Sequence, residues 1–389
     1  MKRILIVIDS LGSGGAEKSL INLLSFIDYT KFSVDLALFG RGGINEKFVP
    51  KEVKFLPLIH PKADAGILRK LAFLTARIRF SVSLRLNKPR TANDQTIRYW
   101  KFFERYLSEI DNTYDVAFAY AQRLPTMFTA EKVRAKRKYS WINVTIHHDD
   151  YLRNFYLKFL KKFERIVCVS DDVQHTVHCS YPEFNDKTTV IYDIINPQFI
   201  RKLSNEYIPF EKSDKVINIL TVARINYEQK GYDLLLESCR ILKERGYHFK
   251  WRSLGNGEKE KNVRNLINKY KLEDCFELCG IHSNPYPYFV NSDIYVQTSR
   301  YEGYGLSIAE ARLLGVPVVT TPYDCVALQI KGGINGIIST FDPNDIADSI
   351  ATLIDNKTLY ASVKSNLTND IIGNLTEFTK IERLIDYED

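Results

Sequence analysis

Two doubly wound, parallel α/β domains facing across a cleft are the fold class this 389-residue chain predicts, on three observations. Short β-rich runs alternate with helical patterns almost from end to end. Several of those runs are continuously apolar, as strands covered on both faces by helices are. The length also exceeds what one core of roughly 100–200 residues holds.

In the first half, RILIVID, FSVDLALF, DVAFAY, KYSWIN, RIVCVS and TTVIYDI read as strands. In the second, VINILTVA, HFKWRSL, CFELCG, DIYVQTS, VPVVTT and GIIST keep the rhythm. Between them, AEKSLINLLSFI, DLLLESCRILKERG and GLSIAEARLLG space their apolar residues by three and four, the helical period. The alternation pauses over residues 196–214, which are polar, hold two prolines and lack a clear period, so the linker is expected there. The division is therefore 1–198, 199–375 and a closing amphipathic helix over 376–389.

Composition excludes several classes. With 45% hydrophobic and 26% charged residues the chain is neither disordered nor fibrous. The apolar run ILIVI is five residues long and is followed by Asp9, too short for a secretory segment. No window approaches the roughly 18 apolar residues of a spanning helix, so a cytoplasmic protein is expected. Six cysteines (168, 179, 239, 275, 279, 325) are too scattered for a disulfide framework. Cys275 and Cys279 lack the second pair a zinc site needs, and all six read as reduced core thiols. Residues 61–110 hold eleven Lys and Arg against four Asp and Glu, a local net of +7.

Parallel sheets bind ligands outside the carboxyl ends of their strands, and three such junctions carry chemistry. At the first, DSLGSGGAEKSLINLL, Gly14 and Gly15 open a helix whose N-terminus favours negative charge. A dinucleotide fingerprint fails there: its third glycine would fall at Glu17, and no acidic residue closes the second strand. At the second, Arg224 follows a strand and Lys230 lies just before Gly231 and a helix. The pair suits a diphosphate, with an Arg fork and a mobile Lys charge, although each alone reads as solvated surface. At the third, Arg300, Tyr301, Glu302, Gly303, Tyr304, Gly305 and Leu306 lead into a helix that carries Glu310. Two glycines let backbone N–H groups face a ligand, and Glu302 can accept hydroxyl hydrogen bonds. Glu310 sits among Ile308, Ala309, Leu313 and Leu314, where a carboxylate needs a partner. Two cations for a diphosphate and two carboxylates for hydroxyls describe a nucleotide sugar.

These stretches, together with KYSWIN, ERIVCVSDDV and CGIHSNPYPYFVNSDIYVQTSRYEGYGLSIAEARLLGVPVVTT, resemble the retaining glycosyltransferases of family 4, which have two Rossmann-like domains (the GT-B fold). The resemblance implies an N-terminal acceptor-binding domain, a C-terminal donor-binding domain and a closing helix that crosses back to the N-terminal one. It implies catalytic roles for Glu302, Arg224 and Lys230, with the two cations stabilising the leaving diphosphate. Glu302 would meet the transferred sugar, Glu310 the ribose and Gly303, Tyr304, Gly305 and Leu306 sugar and phosphate through their backbone. Ile281 would meet the base, and Gly14 and Gly15 the reacting sugar. Where related chains have Trp-Ile-His, this one has Trp141-Ile142-Asn143. Asn143 can bond a hydroxyl but cannot take up a proton. His147 or His148 could substitute, against the alternative of two solvated loop histidines.

The expected activity is transfer of a hexose, UDP-linked, to a lipid-linked or surface glycan in bacterial polysaccharide biosynthesis. No Asp-x-Asp occurs, so no metal or other cofactor is expected. Residues 61–110, with Phe73, Phe80, Tyr99, Trp100, Phe102, Phe103 and Tyr106 among their cations, suit an anionic membrane surface at the inner face of the cell membrane or a lipid-diphosphate acceptor. Their alternative is a domain surface with snorkelling Lys and Arg. No nucleic-acid-binding motif accompanies the charge. Two rivals stay open, a nucleotide-sugar epimerase of the same fold and a catalytically silent sugar-nucleotide binding subunit.

Overall fold

All twelve runs read as strands form strands, and every strand pairing is parallel. The computed structural model describes residues 1–63, 66–89, 91–213, 215–369 and 375–386. The parts of the expected basic stretch, linker and closing helix at 64, 65 and 90, at 214 and at 387–389 lie outside them.

The first sheet contains β1 (Lys2–Ile8), β2 (Phe32–Leu38), β3 (Lys54–Phe55), β4 (Ile110–Ala119), β5 (Val133–Ile142), β6 (Arg165–Cys168) and β7 (Thr188–Val190). Its order is β3-β2-β1-β4-β5-β6-β7. The edge strand β3 has two residues, too few to show a period, and the sequence pattern missed it. The second sheet contains β8 (Ile217–Val222), β9 (Phe249–Leu254), β10 (Phe276–Gly280), β11 (Ile294–Gln297), β12 (Val318–Thr320) and β13 (Gly336–Ile338). Its order is β10-β9-β8-β11-β12-β13, so strand order reverses between β8 and β11.

Helices fill the connections. The first are α1 (Gly15–Leu24), α2 (Ile67–Leu86), α3 (Ala92–Phe103), α4 (Leu124–Lys132), α5 (Asp150–Leu160) and α6 (Asp171–Ser180). They are followed by α7 (Pro197–Ser204), α8 (Tyr232–Glu244), α9 (Glu260–Lys269) and α10 (Tyr286–Val290). The last are α11 (Leu306–Leu313), α12 (Pro343–Asp355), α13 (Lys357–Asn369) and α14 (Leu375–Asp386). Helix α7 lies within the stretch expected as linker, so that stretch is not without regular structure. Asn196 accepts a hydrogen bond from the Phe199 N–H and Pro197 opens the helix, which buries Ile200 and Leu203. The Asn-Pro pair is an N-cap followed by a first-turn proline.

Two compact units result. The first comprises Met1–Gly12, Phe26–Ile191 and Thr379–Asp389; the second comprises Ser13–Ser25 and Tyr192–Phe378. In the first unit, the end of α14 bonds the sheet: Tyr139 Oη donates to Leu384 O (3.0 Å), and Lys2 Nζ pairs with Asp386 (3.1 Å). In the second, Leu235, Leu236 and Leu242 of α8 and Ile346 and Ile350 of α12 bury against Ile219, Val296 and Val319 of the sheet.

Helix α2 is the exception to good burial, since Ala76 is the one residue it buries. Its aromatic side chains turn inward: Phe73 packs on Phe103 and Tyr106, and Phe80 on Tyr99, Phe102 and Phe103. Six of the seven aromatics named for the membrane face therefore meet along the packing of α2 against α3 and the turn after it, and the seventh, Trp100, packs on Phe159 of α5. What faces out instead is an aliphatic stripe, Ile67, Leu71, Leu74, Ile78, Val82 and Leu86, from 44% to 77% exposed.

Among the described residues the cysteines are free thiols. Cys179 is exposed and Cys279 half-buried, so the core reading holds for the other four.

Candidate functional site

Eleven of the thirteen residues singled out as donor-site or sugar contacts belong to the second unit: Gly14, Gly15, Arg224, Lys230, Ile281, Glu302, Gly303, Tyr304, Gly305, Leu306 and Glu310. Arg224 and Lys230 follow β8, and Glu302 to Leu306 follow β11, the two strands that flank the order reversal. Such a switch point is where open parallel sheets bind ligands.

Lys230 and Glu302 form the first constellation. Lys230 Nζ lies 2.5 and 2.7 Å from the two carboxylate oxygens of Glu302. Gln297 Nε2 (2.9 Å) and Ser299 Oγ (2.6 Å) also donate to Glu302 Oε1, so this buried carboxylate is well satisfied. The Lys230 loop can lie against the end of β11 because position 231 is glycine. Gly231 is left-handed (φ +62°), and a β-carbon there would come 2.1 Å from Thr298 O. Thr298 Oγ1 in turn donates to the carbonyls of Lys230 (2.9 Å) and Gly231 (3.0 Å).

Arg224 is exposed and carries no salt bridge or side-chain hydrogen bond among the described residues. Its backbone is fixed by a turn the sequence reading overlooked, Leu254-Gly255-Asn256-Gly257. β-Carbons at Gly255 and Gly257 would meet the carbonyls of Ala223 and Ile225 at 2.0 and 2.1 Å, and Ile225 N donates to Asn256 O. Two glycines two apart after a strand were the available signal. The nearby Arg300 points elsewhere and forks onto Asp233 of α8 at 3.0 and 2.7 Å.

Glu310 forms the second constellation. It has no exposed surface. Lys18 Nζ of α1 donates to both its oxygens (3.2 and 3.0 Å), and Tyr286 Oη donates to Oε1 (3.0 Å). Burial and the adjacent carboxylate hold the Tyr286 phenol well above its ordinary pKa. The sequence demanded a partner for Glu310 but did not identify it, because Lys18 is 292 positions away.

Between the constellations the backbone turns into α11. Gly305 is left-handed (φ +88°), and a β-carbon would lie 2.6 Å from Tyr323 Oη. Gln329 Nε2 donates to the carbonyls of Tyr304 (2.5 Å) and Gly305 (3.3 Å), pinning the turn. The N–H groups of Gly303 to Leu306 donate to no acceptor among the described residues, so they remain available to a ligand at a helix N-terminus. Tyr304 stacks on Tyr192 (centroids 5.6 Å apart). Ile281 is exposed and follows the left-handed Gly280.

Gly15 lies over Leu306, whose Cδ1 is 3.7 Å from where a β-carbon would be. Glu17 folds back on Gly14, with Oε2 2.3 Å from that glycine's β-carbon position. Burial raises the Glu17 pKa, against its own N–H and the Arg224 charge, which lower it. The sequence reading used Glu17 only to dismiss a dinucleotide loop.

Asn143 and His147 belong to the first unit. Asn143 Nδ2 donates to Tyr120 O (3.0 Å), while its Oδ1 is buried without a partner among the described residues. His147 is exposed. His148 is not a solvated loop histidine: its Nδ1 meets Tyr181 Oη at 2.6 Å, and its ring stacks on Tyr156. Burial lowers its pKa.

Residues 205–370 match the family described as glycosyl transferases group 1. An uncharacterized glycosyltransferase of Methanocaldococcus jannaschii is 28% identical over 175 residues, 44% of this chain and 42% of that protein. The putative colanic acid biosynthesis glycosyltransferase WcaL of Escherichia coli K12 is 31% identical over 144 residues, 35% of each. The chain thus covers less than half the length of these curated relatives. The crystal structure of HepE from Anabaena, in complex with UDP and glucose, matches along 100% of both chains with a TM-score of 0.71 at 16% identity. The two parallel α/β domains have the GT-B fold of such glycosyltransferases.

Proposed function

We propose that the chain is a retaining, metal-independent glycosyltransferase of family 4 that moves a hexose from a UDP-linked donor to a hydroxyl of a lipid-linked or surface glycan. The observation that carries this reading is the convergence at the β8/β11 switch point: an unpaired Arg224, a Lys230 held on Glu302, and the unclaimed N–H groups of Gly303 to Leu306. UDP and glucose in HepE support the donor class, and the name of WcaL supports the polysaccharide context.

In this reading Arg224 and Lys230 grip the diphosphate and stabilise the charge that grows on it as the anomeric C–O bond breaks. These cations do the work a divalent ion would otherwise do. The acceptor oxygen bonds the same face of the anomeric carbon, and its proton leaves with the departing phosphate. Glu302 meets the transferred sugar, Ile281 the base, and Gly14 and Gly15 the reacting sugar. Glu310 takes the ribose hydroxyls. Because its oxygens are covered by Lys18 and Tyr286, the ribose reaches them only when Lys18 withdraws.

Helix α2 supports placement on an anionic membrane. It exposes its aliphatic stripe beside Arg69, Lys70, Arg77, Arg79 and Arg85 and contains no acidic residue. Such a helix lies in the interface plane. No helix of the described residues is long and apolar enough to cross a membrane.

Thermal-shift measurements with a panel of nucleotide sugars test the donor class, since a ligand of the native state raises apparent stability with its affinity. A shift with UDP-hexoses that persists in excess chelator is expected. A shift with no nucleotide sugar, or one abolished by the chelator, contradicts the reading.

A further inference from the structure

A cavity of ≈ 560 Å³ opens in the first unit where the end of α2 meets α3 and the start of α5. Its walls include Leu86, the last residue of the apolar stripe, Lys88 just beyond it, Asp94, Arg98 and Lys101 of α3, and Tyr151 of α5. Arg98 Nη1 donates to Ser83 O (3.0 Å) and to Asn87 O, which staples the last turn of α2 and fixes the guanidinium at the wall. Lys101 Nζ donates to Tyr151 Oη (3.1 Å) and sits over that ring. Lys88 is exposed and has no ion pair among the described residues. Three cations against the one carboxylate of Asp94 leave the walls with a net charge of +2.

We propose that this cavity binds the terminal phosphate or diphosphate of a lipid whose chain lies along the exposed stripe of α2. A terminal phosphate carries about −1.5 to −2 at neutral pH, which matches the walls better than the single charge of a phosphodiester. Continuity supports the lipid source, because Leu86 belongs both to the stripe and to the cavity. The volume falls within the roughly 300–1,000 Å³ of ligand sites, ample for a diphosphate with its first attached group. The proposal rests on the reading of α2 as a membrane-surface helix and adds to it the class of headgroup recognised.

The test is sedimentation of the full chain with phosphatidylcholine vesicles that contain either phosphatidic acid or phosphatidylglycerol, at matched surface potential. Wild type should bind the phosphatidic acid vesicles about tenfold more tightly, a difference of one charge-assisted contact. Millimolar inorganic pyrophosphate should compete that advantage away. Lys88→Gln and Lys101→Gln alter exposed side chains and should bring the ratio of the two affinities to one. Lys70→Gln, also on α2 but outside the cavity, should lower both affinities in parallel and keep the ratio. Equal binding of both vesicles by wild type, or a preference that survives both cavity substitutions, overturns the proposal. Pyrophosphate binding that Lys101→Gln abolishes, without any vesicle preference, overturns the lipid assignment in favour of a free anion. Failure to bind either vesicle overturns the cavity proposal and the membrane reading together. Donor turnover by the soluble protein is measured independently of vesicles, so the transferase reading stands or falls by itself.

Discussion

Lys230 Nζ sits 2.5 Å from Glu302 Oε1, joining the loop after β8 to the loop after β11. The contact holds a cation at the sheet's switch point, and in the proposed reading that cation exchanges the carboxylate for the phosphates of a donor. Lys230→Ala should lower turnover about 10²-fold or more, the loss of one transition-state donor. Steady-state kinetics with a UDP-hexose check this, and near-normal activity would remove Lys230 from the site.

The buried Glu310 gives a test that combines stability and binding. Lys18→Met leaves its carboxylate with Tyr286 alone and should cost about 3–5 kcal/mol in urea unfolding, as breaking a buried pair does. Adding Glu310→Leu to that variant should recover much of the stability while donor affinity stays lost. Strict additivity of the two substitutions would mean that they do not interact.

Gly231 should tolerate no side chain. Gly231→Ala meets both a positive φ and the Thr298 carbonyl at 2.1 Å, so a loss of more than about 1 kcal/mol is expected. The melting temperature of the variant reads it, and because the same turn aims Lys230, turnover should fall as well.

Asp193 predicts a pH dependence. It is buried, with a hydrogen bond from Ser19, and burial raises its carboxyl to about 7. Its folded pKa lies above the unfolded one, so between about pH 4 and 7 the folded state binds the extra proton. Its contribution to stability is therefore full below pH 4 and is lost as pH rises to 7, by up to about 4 kcal/mol. Asp193→Asn should flatten that slope and be more stable than wild type at pH 8 in denaturant titrations. An unchanged slope would show that Asp193 does not titrate in this range.

The sequence disclosed the strands because their apolar runs are long and uninterrupted, and it disclosed the junction residues because glycines and charges cluster where strands end. What it withheld depends on distance in the chain. Strand order brings β8 beside β11, yet no local pattern records that adjacency. Lys18 meets Glu310 from 292 positions away. α7 was hidden because eight residues show barely two turns of period. The aromatics of residues 61–110 were legible as a cluster, but which way Phe73 and Phe80 of α2 point depends on packing, and they point at α3.

The most direct test of the account is UDP release from a UDP-hexose, measured with and without a lipid-linked glycan acceptor. Release should rise steeply on adding acceptor and collapse in Arg224→Ala and Lys230→Ala. No release, or release indifferent to the acceptor, would contradict it.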